Sequence, residues 1–328
     1  MSELRALRLP QDIDPIMKVI LEGFQYPENP QWSIQADERE GIVDTIKSMK
    51  RIYPLYALLG KFSADMRDLY HGFLYVEDNR PVGIVTYSRR SGSQEWFIAN
   101  VTVIPAYRRR GIARKLVQAT LEHIQDRHGK TAILDVIDGN LPAYTLYQEL
   151  GFEEYSGSVD YFYDQTAQAV TMPEGYAILP LPDSDWRTRY ELENRITPDY
   201  VQKYMPVSEL NFRQPFVIRA FMNLYSRMRG EKQEAFSIRD RTTQVVGIAS
   251  FAARTRPGGV NHIGVRLDST YAVLAPFMVG HLLNLTQQVS PGRRIEFSIP
   301  RWQAALDEAA QAMGANQRCA THRMGIIL

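Results

Sequence analysis

The sequence is nearly free of cysteine, because Cys319 is the single one among 328 residues. One cysteine excludes a disulfide framework within the chain and leaves no cysteine cluster for zinc, which favours a reducing compartment. The opening residues MSELRALRLP lack the apolar core of a signal peptide, and no apolar run reaches the ~20 residues that span a bilayer. We therefore expect a cytoplasmic protein that is not attached to a membrane.

An excess of charge of either sign is also missing. The chain has 38 Lys and Arg against 37 Asp and Glu, a formal net charge of +1, which gives no overall field to attract nucleic acid. We expect no nucleic-acid partner, and any basic site must be local. Hydrophobic residues make up 45% of the chain, as in soluble globular proteins, and a chain of this length fits about two domains.

Strand and helix patterns alternate along the first half of the sequence. Pro54 is expected to kink or end the second helix. The order of the patterns predicts an α/β domain whose twisted mixed sheet is flanked by helices. Strand patterns lie at 4–9, 72–78, 80–89, 95–104 and 131–137, and helical patterns follow Pro10, cover 37–59, run from Ile112 to Gly129 and cover 141–152.

A loop rich in aromatic residues separates the first two helices. The stretch GFQYPENPQW at 23–32 is marked as a loop by its prolines and asparagine, yet it carries Phe24, Tyr26 and Trp32. These side chains either fill the core or form the wall of a substrate cleft. The sequence leaves both interpretations open.

The stretch YRRRGIARKLV at 107–117 joins a strand to a helix through a loop with small residues. Gly111 has no Cβ and Ala113 adds little bulk, so the backbone amides of 109–113 can converge on one anion at the positive end of a helix. This pattern predicts a pyrophosphate site. The alternative is a basic loop exposed to solvent.

Two sequence motifs follow one another along the chain, and together they make the prediction of a pyrophosphate site specific. Arg108, Gly111 and Ala113 match R/Q-x-x-G-x-G/A, and the residues from Asn140 to Phe152 match N-x-x-A-x-x-L-Y-x-x-L-G-F. Residues 1–165 therefore resemble the GCN5-related N-acetyltransferase (GNAT) family. The resemblance implies acetyl-CoA as cosubstrate, an amine of a small molecule or a protein as acceptor, and no metal.

The resemblance also implies which residues form the site. A backbone N–H within 100–103 would polarise the thioester carbonyl, and Tyr147 would protonate the departing thiolate. The residues implied to bind the cofactor are Val101, Thr102, Val103, Arg108, Arg109, Arg110, Gly111, Ile112, Ala113, Arg114, Asn140, Ala143 and Tyr144.

The general base does not follow from the resemblance. Family members often carry a glutamate on the strand before the phosphate loop, but Phe97 and Ala99 stand at the aligned positions. Glu95 has the matching side-chain parity and is the candidate base, unless it is only an exposed carboxylate at the end of a strand. Asp135 is a second candidate. Alternatively, the amine arrives neutral or loses its proton through water.

The second half of the chain repeats the first. PVGIVTYSRR at 81–90 is echoed by VVGIASFAAR at 245–254, and the element order repeats as well. We predict a catalytic domain at 1–165, a linker at 166–175 and a degenerate domain of the same fold at 176–328. This second domain would shape the acceptor cleft, stabilise the first domain or support a homodimer.

The second domain is expected to be catalytically silent. At the position of the phosphate loop it reads LDSTYAVLAPFMVG, without the arginine, glycine and alanine, and Ala309 or Ala310 falls where the tyrosine is expected. Its histidines His262, His281 and His322 have no metal spacing and are interpreted as structural or surface residues.

Three functions follow from the sequence as hypotheses. The first is an N-acetyltransferase that moves the acetyl group of acetyl-CoA to an amine by direct attack in a ternary complex. The second is an acyl-CoA-binding or sensor protein without catalysis, because the base is missing. The third, nucleic-acid binding through the arginines of the 107–117 stretch, is disfavoured by the neutral overall charge.

Overall fold

The chain divides into two compact units in a computed structural model that describes residues 2–62, 67–68, 70–90, 93–213 and 215–328. The first unit comprises residues 1–155 together with His322–Leu328, and the second unit comprises Ser156–Thr321. Both contain helices and a mixed sheet, which confirms the α/β fold class. The division falls at other residues than the sequence predicts, because the end of the chain belongs to the first unit.

The first unit has a sheet that is antiparallel except at one pair of strands. Strand β4 pairs with β3 in antiparallel and with β5 in parallel orientation. The strands agree with the sequence patterns, except that the first begins and ends earlier than expected. They are β1 (Ser2–Ala6), β2 (His71–Glu77), β3 (Arg80–Arg89), β4 (Glu95–Val103) and β5 (Thr131–Ile137), in this order across the sheet.

Within the described residues, four helices flank this sheet. Helix α2 continues past Pro54 to Gly60, so Pro54 does not end the helix, and a kink at this proline stays a prediction. Helix α3 buries Leu116, Val117 and Ile124 completely, as its helical periodicity predicts. None of the helices in the described ranges is long and apolar enough to cross a bilayer. The four are α1 (Ile13–Gly23), α2 (Ala36–Gly60), α3 (Ile112–Asp126) and α4 (Leu141–Glu149).

The second unit repeats this arrangement. Gly83 lies opposite Val103 in the β3–β4 pair, and Gly247 lies opposite Leu267 in the β9–β10 pair. The strands are β6 (Glu153–Tyr163), β7 (Ala177–Pro180), β8 (Glu231–Arg239), β9 (Val245–Arg254), β10 (Asn261–Leu267) and β11 (Ile295–Pro300). The helices are α5 (Trp186–Ile196), α6 (Asp199–Gln202), α7 (Glu209–Phe212), α8 (Phe216–Met228), α9 (Ala275–Val289) and α10 (Ala304–Ala312).

The segment predicted as a linker, 166–175, is held by the second unit. It forms no helix or strand, but its backbone is bonded to side chains of α9. The Ala167 N–H donates to Gln287 Oε1 at 2.8 Å, and Asn284 Nδ2 donates to the Gln168 carbonyl at 2.6 Å. These bonds dock the segment, so it is not a free spacer.

The last strand of the chain, β12 (Asn316–Ile327), supplies residues to both units. In the first unit, Met324 is fully buried in the core and Arg323 donates to both oxygens of Asp135 on β5 at 2.7 and 2.8 Å. The Leu328 N–H donates to the Lys130 carbonyl at 2.8 Å. The core of the first unit is therefore completed by the end of the chain.

Substitution of the buried Met324 tests directly whether the end of the chain completes the core of the first unit. Met324→Ala should lower the free energy of unfolding by about 2–5 kcal/mol, because it leaves a cavity in the core of the first unit. Urea denaturation measures the change. Ile327→Ala on the same strand is the matched control, since Ile327 is 60% exposed and a surface truncation should stay within about 0.5 kcal/mol. Equal effects of the two variants would contradict the burial.

Candidate active site

Strands β4 and β5 separate in the middle of the sheet. Their parallel pairing covers only Glu95–Ile98 with Thr131–Leu134. Just beyond it, Asn100 has φ = +50° and the register with β3 shifts by a bulge. The bulge is held by Asn100 Nδ2, which donates to Thr86 Oγ1 at 2.8 Å. On the side of β5, the backbone of Val101–Val103 therefore borders an opening, while its other side remains paired with β3.

This opening is a cleft of about 860 Å³ in the first unit. It is bordered by the end of β4, the loop before α3, the turn before α4, and the loop after α1. The structure brings together most of the residues that the sequence analysis assigns to the site. Those that line the cleft are Val101, Thr102, Val103, Arg108, Arg109, Gly111, Ile112, Ala113, Arg114, Asn140, Ala143 and Tyr147.

The loop before α3 presents unused amides to the cleft. Arg109 has φ = +64° and Gly111 has φ = +73°, so successive N–H groups turn toward one side of the chain. Within the described residues, the N–H groups of 109–114 donate to no backbone or side-chain acceptor. A Cβ on Gly111 would meet no atom within 4 Å. The amides and the N-terminus of α3 together form a site for an anion.

The arginines of this loop have different roles. Arg110 donates to Glu77 at 3.1 Å and does not line the cleft. Arg114 forms an ion pair with Glu149 at the edge of the cleft. Arg108 lines the cleft, but its guanidinium group donates to backbone carbonyls of the first unit. Arg109 makes no ion pair with a described residue, so its charge is available to an anion at the amides.

Tyr147 lies on α4 with its ring buried in the wall of the cleft. It is 5% exposed and packs edge-to-face on Phe152, with ring centroids 6.0 Å apart. Burial, together with the nearby Tyr26 phenol, raises the pKa of Tyr147. The phenol is therefore protonated at neutral pH, and its burial makes it a weaker acid than an exposed tyrosine.

Two other residues of the second motif have structural contacts. Asn140 is the N-cap of α4, where its Oδ1 accepts from the Ala143 N–H at 3.4 Å. Tyr144 is not brought to the cleft: its hydroxyl donates to Glu154 at 2.8 Å and its ring packs on His322. The position of Tyr144 follows from helical geometry, because α4 turns only some of its side chains toward the cleft.

The two carboxylates considered as bases lie away from the cleft. Glu95 is buried at the first residue of β4, and six residues of strand separate it from Val101 by ~20 Å. The bulge at Asn100 also interrupts the side-chain alternation on which the assignment of Glu95 depends. Asp135 is held in the bidentate pair with Arg323. The structure therefore gives neither residue a place beside the reacting atoms.

The aromatic loop after α1 supplies side chains that the sequence left undecided. Tyr26 and Trp32 line the cleft and pack edge-to-face, with ring centroids 5.8 Å apart. Phe24 does not line it. Glu28, which the sequence analysis did not single out, also lies on this wall. The aromatic residues on a proline-rich loop were the available signal, whereas nothing in the sequence pattern distinguished Glu28.

The corresponding place in the second unit is filled by a side chain. Parallel pairing of β10 and β11 covers only Asn261–His262 with Ile295–Glu296, so these strands also separate. There, the Leu267 N–H donates to Gln303 Oε1 at 3.1 Å, and Gln303 Nε2 donates to the Leu267 carbonyl at 3.0 Å. Gln303 precedes α10 as Asn140 precedes α4, but its longer side chain reaches the facing strand.

The loop that follows β10 also differs from the loop that follows β4. A short 3₁₀ helix, Ser269–Leu274, leads directly into α9, and the Asp268 carboxylate accepts from the Thr270 N–H at 3.1 Å. The Asp268 side chain thus caps the first turn of this 3₁₀ helix, whereas α9 begins only at Ala275.

Comparison with known proteins shows what the first unit is similar to. Residues 40–152, about a third of the chain, match the model of the acetyltransferase (GNAT) family. The chain as a whole has a tandem GNAT fold: it superposes on a tandem GNAT protein from the clavulanic acid biosynthesis pathway with a TM-score of 0.65, at 13% identity, covering 100% of this chain and 98% of that one.

Two relatives of known name are similar in sequence to the first unit. N-alpha-acetyltransferase 30 of Schizosaccharomyces pombe is 29% identical over 97 residues, which are 29% of this chain and 65% of that protein. The N-terminal acetyltransferase B complex catalytic subunit NAA20 of Arabidopsis thaliana is 28% identical over 128 residues, 38% of this chain and 70% of that protein. The chain thus covers about two thirds of each relative.

Proposed function

We propose that the protein is an N-acetyltransferase that uses acetyl-CoA and that its reaction takes place in the cleft of the first unit. The observation that carries the proposal is the row of unused amides at 109–114 beside the separated strands β4 and β5. A backbone anion site next to an open strand edge suits a long cosubstrate with a pyrophosphate at one end and a thioester at the other.

The chain's own groups account for cosubstrate binding. The N–H groups of 109–114 and the Arg109 side chain would hold the pyrophosphate. Backbone groups of Val101–Val103, which border the cleft, would bind the acyl end and stabilise negative charge on its carbonyl oxygen. In the second unit Gln303 occupies the backbone groups of Leu267, which correspond to those of Val103, so we propose one acetyl-CoA site per chain.

Proton transfer is assigned to two side chains of the cleft. Tyr147, kept neutral by burial, would donate its proton to the departing thiolate. Of the two carboxylates on the cleft wall, Glu149 is paired with Arg114, and Glu28 makes no ion pair with another described residue. We propose that Glu28 meets the acceptor's ammonium group, whose proton must leave before the amine attacks.

The acceptor we propose is the α-amino group of a peptide or protein. The two relatives are named as N-alpha- and N-terminal acetyltransferases, and the cleft wall offers Tyr26 and Trp32 to an acceptor side chain. A small-molecule amine would be the acceptor if peptides gave no thiol release.

A second candidate function is acyl-CoA binding without turnover. It is favoured by one observation, the position of Glu95 at the far end of β4 from the cleft. A protein of this kind would bind acetyl-CoA but release no thiol with any amine.

Substitution of Gly111 tests the anion site. Gly111→Glu should weaken acetyl-CoA binding by at least about 100-fold, because a negative side chain would stand among the amides that hold the pyrophosphate. Calorimetric titration of the full chain measures the affinity. Gly292→Glu is the matched control, since Gly292 also has a positive φ, +68°, and open space around a Cβ, but lies in the second unit. Equal losses in both variants would contradict the site.

Removal of the Tyr147 hydroxyl tests the proton donor. Tyr147→Phe should slow thiol release by about 100-fold, the usual contribution of a general acid, with little change in acetyl-CoA affinity. Tyr144→Phe, three residues earlier on α4, removes a hydroxyl that is bonded to Glu154 and should turn over normally. Unchanged turnover in Tyr147→Phe would remove this residue from proton transfer.

A further inference from the structure

The side chain of Arg108 points away from the amides of its own loop. Its Nε donates to the Val103 carbonyl at 3.1 Å, and its Nη2 donates to the Gly23 carbonyl at 2.8 Å and the Gln25 carbonyl at 3.3 Å. The guanidinium group also stacks over the Tyr26 ring, 4.7 Å from its centroid. Two of its donor groups and one of its faces are thus committed to the protein.

These contacts join three parts of the cleft. Val103 ends β4, Gly23 ends α1, and Gln25 and Tyr26 begin the aromatic loop. The backbone of Arg108 begins the phosphate loop, the segment before α3 that carries the amides of 109–114. It directly precedes Arg109 with its positive φ. One residue therefore connects the backbone that would hold the cosubstrate to the wall that would face the acceptor.

Hydrogen bonds within the wall close its loop on itself. The Tyr26 N–H donates to Ser33 Oγ at 2.8 Å, and the Ile34 N–H donates to the Phe24 carbonyl at 3.3 Å, so the loop is closed on itself. Trp32 contacts Tyr26 edge-to-face, and its ring also lies close to Gly139 in the turn before α4, where a Cβ would be 3.2 Å away. The end of α1 is set close to β4, since a Cβ on Gly23 would lie 2.4 Å from Thr102 Oγ1.

We infer that Arg108 is a positioning residue that couples cosubstrate binding to the acceptor wall formed by 24–34. When an anion binds to the phosphate loop, it fixes the backbone of Arg108. The guanidinium group of Arg108 in turn fixes the positions of Gly23, Gln25 and Tyr26. The wall beside Tyr147 is then complete before an acceptor enters. This inference rests on the proposed function, because it takes acetyl-CoA as the ligand of the phosphate loop.

The inference differs from a direct role of Arg108 in phosphate binding. If Arg108 bound the phosphate directly, removal of its charge would lower the affinity of the protein for acetyl-CoA. If Arg108 is a positioning residue, a variant without it keeps most of that affinity, but the wall formed by 24–34 no longer responds to acetyl-CoA binding. Arg110 gives the matched comparison. It carries the same charge in the same loop and stacks on Tyr107, but its ion pair is with Glu77 and it has no contact with 24–34 among the described residues.

Trp32 provides the readout on the full chain. Acrylamide quenching of tryptophan fluorescence is measured with and without acetyl-CoA. The same measurement on Trp32→Phe gives the quenching of the other tryptophans, which is subtracted. Calorimetry on the same samples gives the affinity. The variants are Arg108→Met and Arg110→Met, with thermal midpoints to show that both are folded.

We expect acetyl-CoA to protect Trp32 from quenching in the wild type and in Arg110→Met. In Arg108→Met the protection should be lost while the affinity changes by less than about threefold, because the backbone amides hold the anion. If Arg108→Met does not fold, Tyr26→Leu replaces it: this change removes the stacked ring, leaves every backbone bond of Arg108 in place, and should also lower the protection of Trp32.

Other results would overturn the inference. Protection of Trp32 in Arg108→Met equal to that in the wild type would show that the wall does not depend on Arg108. A loss of affinity of about tenfold or more in Arg108→Met but not in Arg110→Met would make Arg108 a direct ligand. Binding to the wild type without protection of Trp32 would remove the coupling alone, and no binding to the wild type would remove the proposed function as well.

Discussion

The early end of the β4–β5 pairing is the constraint on which the rest of the site depends. Past Ile98 and Leu134 the two parallel strands share no further ladder pair, and the bulge at Asn100 turns β4 away. A strand edge in the middle of a sheet must find other partners for its backbone groups. Here the edge borders a cleft, and the loop, the helix start and the turn before α4 are arranged around it. The unused amides of 109–114 have the same origin, because the loop that follows β4 begins where the strand leaves the sheet.

The two units show two solutions to the same separation of strands. In the first unit, Asn140 caps its own helix and the cleft beyond it stays open. In the second unit, Gln303 stands at the matching place, and its amide group satisfies both backbone groups of Leu267 from across the gap. One methylene group more in the side chain is enough to reach the opposite strand. The second unit retains the architecture of the first, but its own residues fill the positions that a ligand would use.

The fold could be predicted well from the sequence, and the site in part. Helical and alternating patterns located most elements, and Arg108, Gly111 and Ala113 predicted the loop because their spacing is dictated by local backbone geometry. Strands β6 and β12 were not predicted, because buried and exposed residues do not alternate regularly along them. The place of Met324 in the first core is a long-range contact that no local pattern reveals. The surroundings of Glu95 and Arg108 could not be read from the sequence for a related reason: a bulge and a side chain turned toward Gly23 are set by tertiary contacts.

We propose that the backbone amides of 109–114 bind the cosubstrate. The most direct measurement is a titration of the ¹⁵N-labelled chain with acetyl-CoA, followed through the amide resonances by NMR. The account predicts that the resonances of 109–114 and of Val101–Val103 shift together and saturate at one equivalent, while those around Leu267 do not move. Shifts centred on the second unit, or no shift at 109–114 in a folded protein, would contradict it.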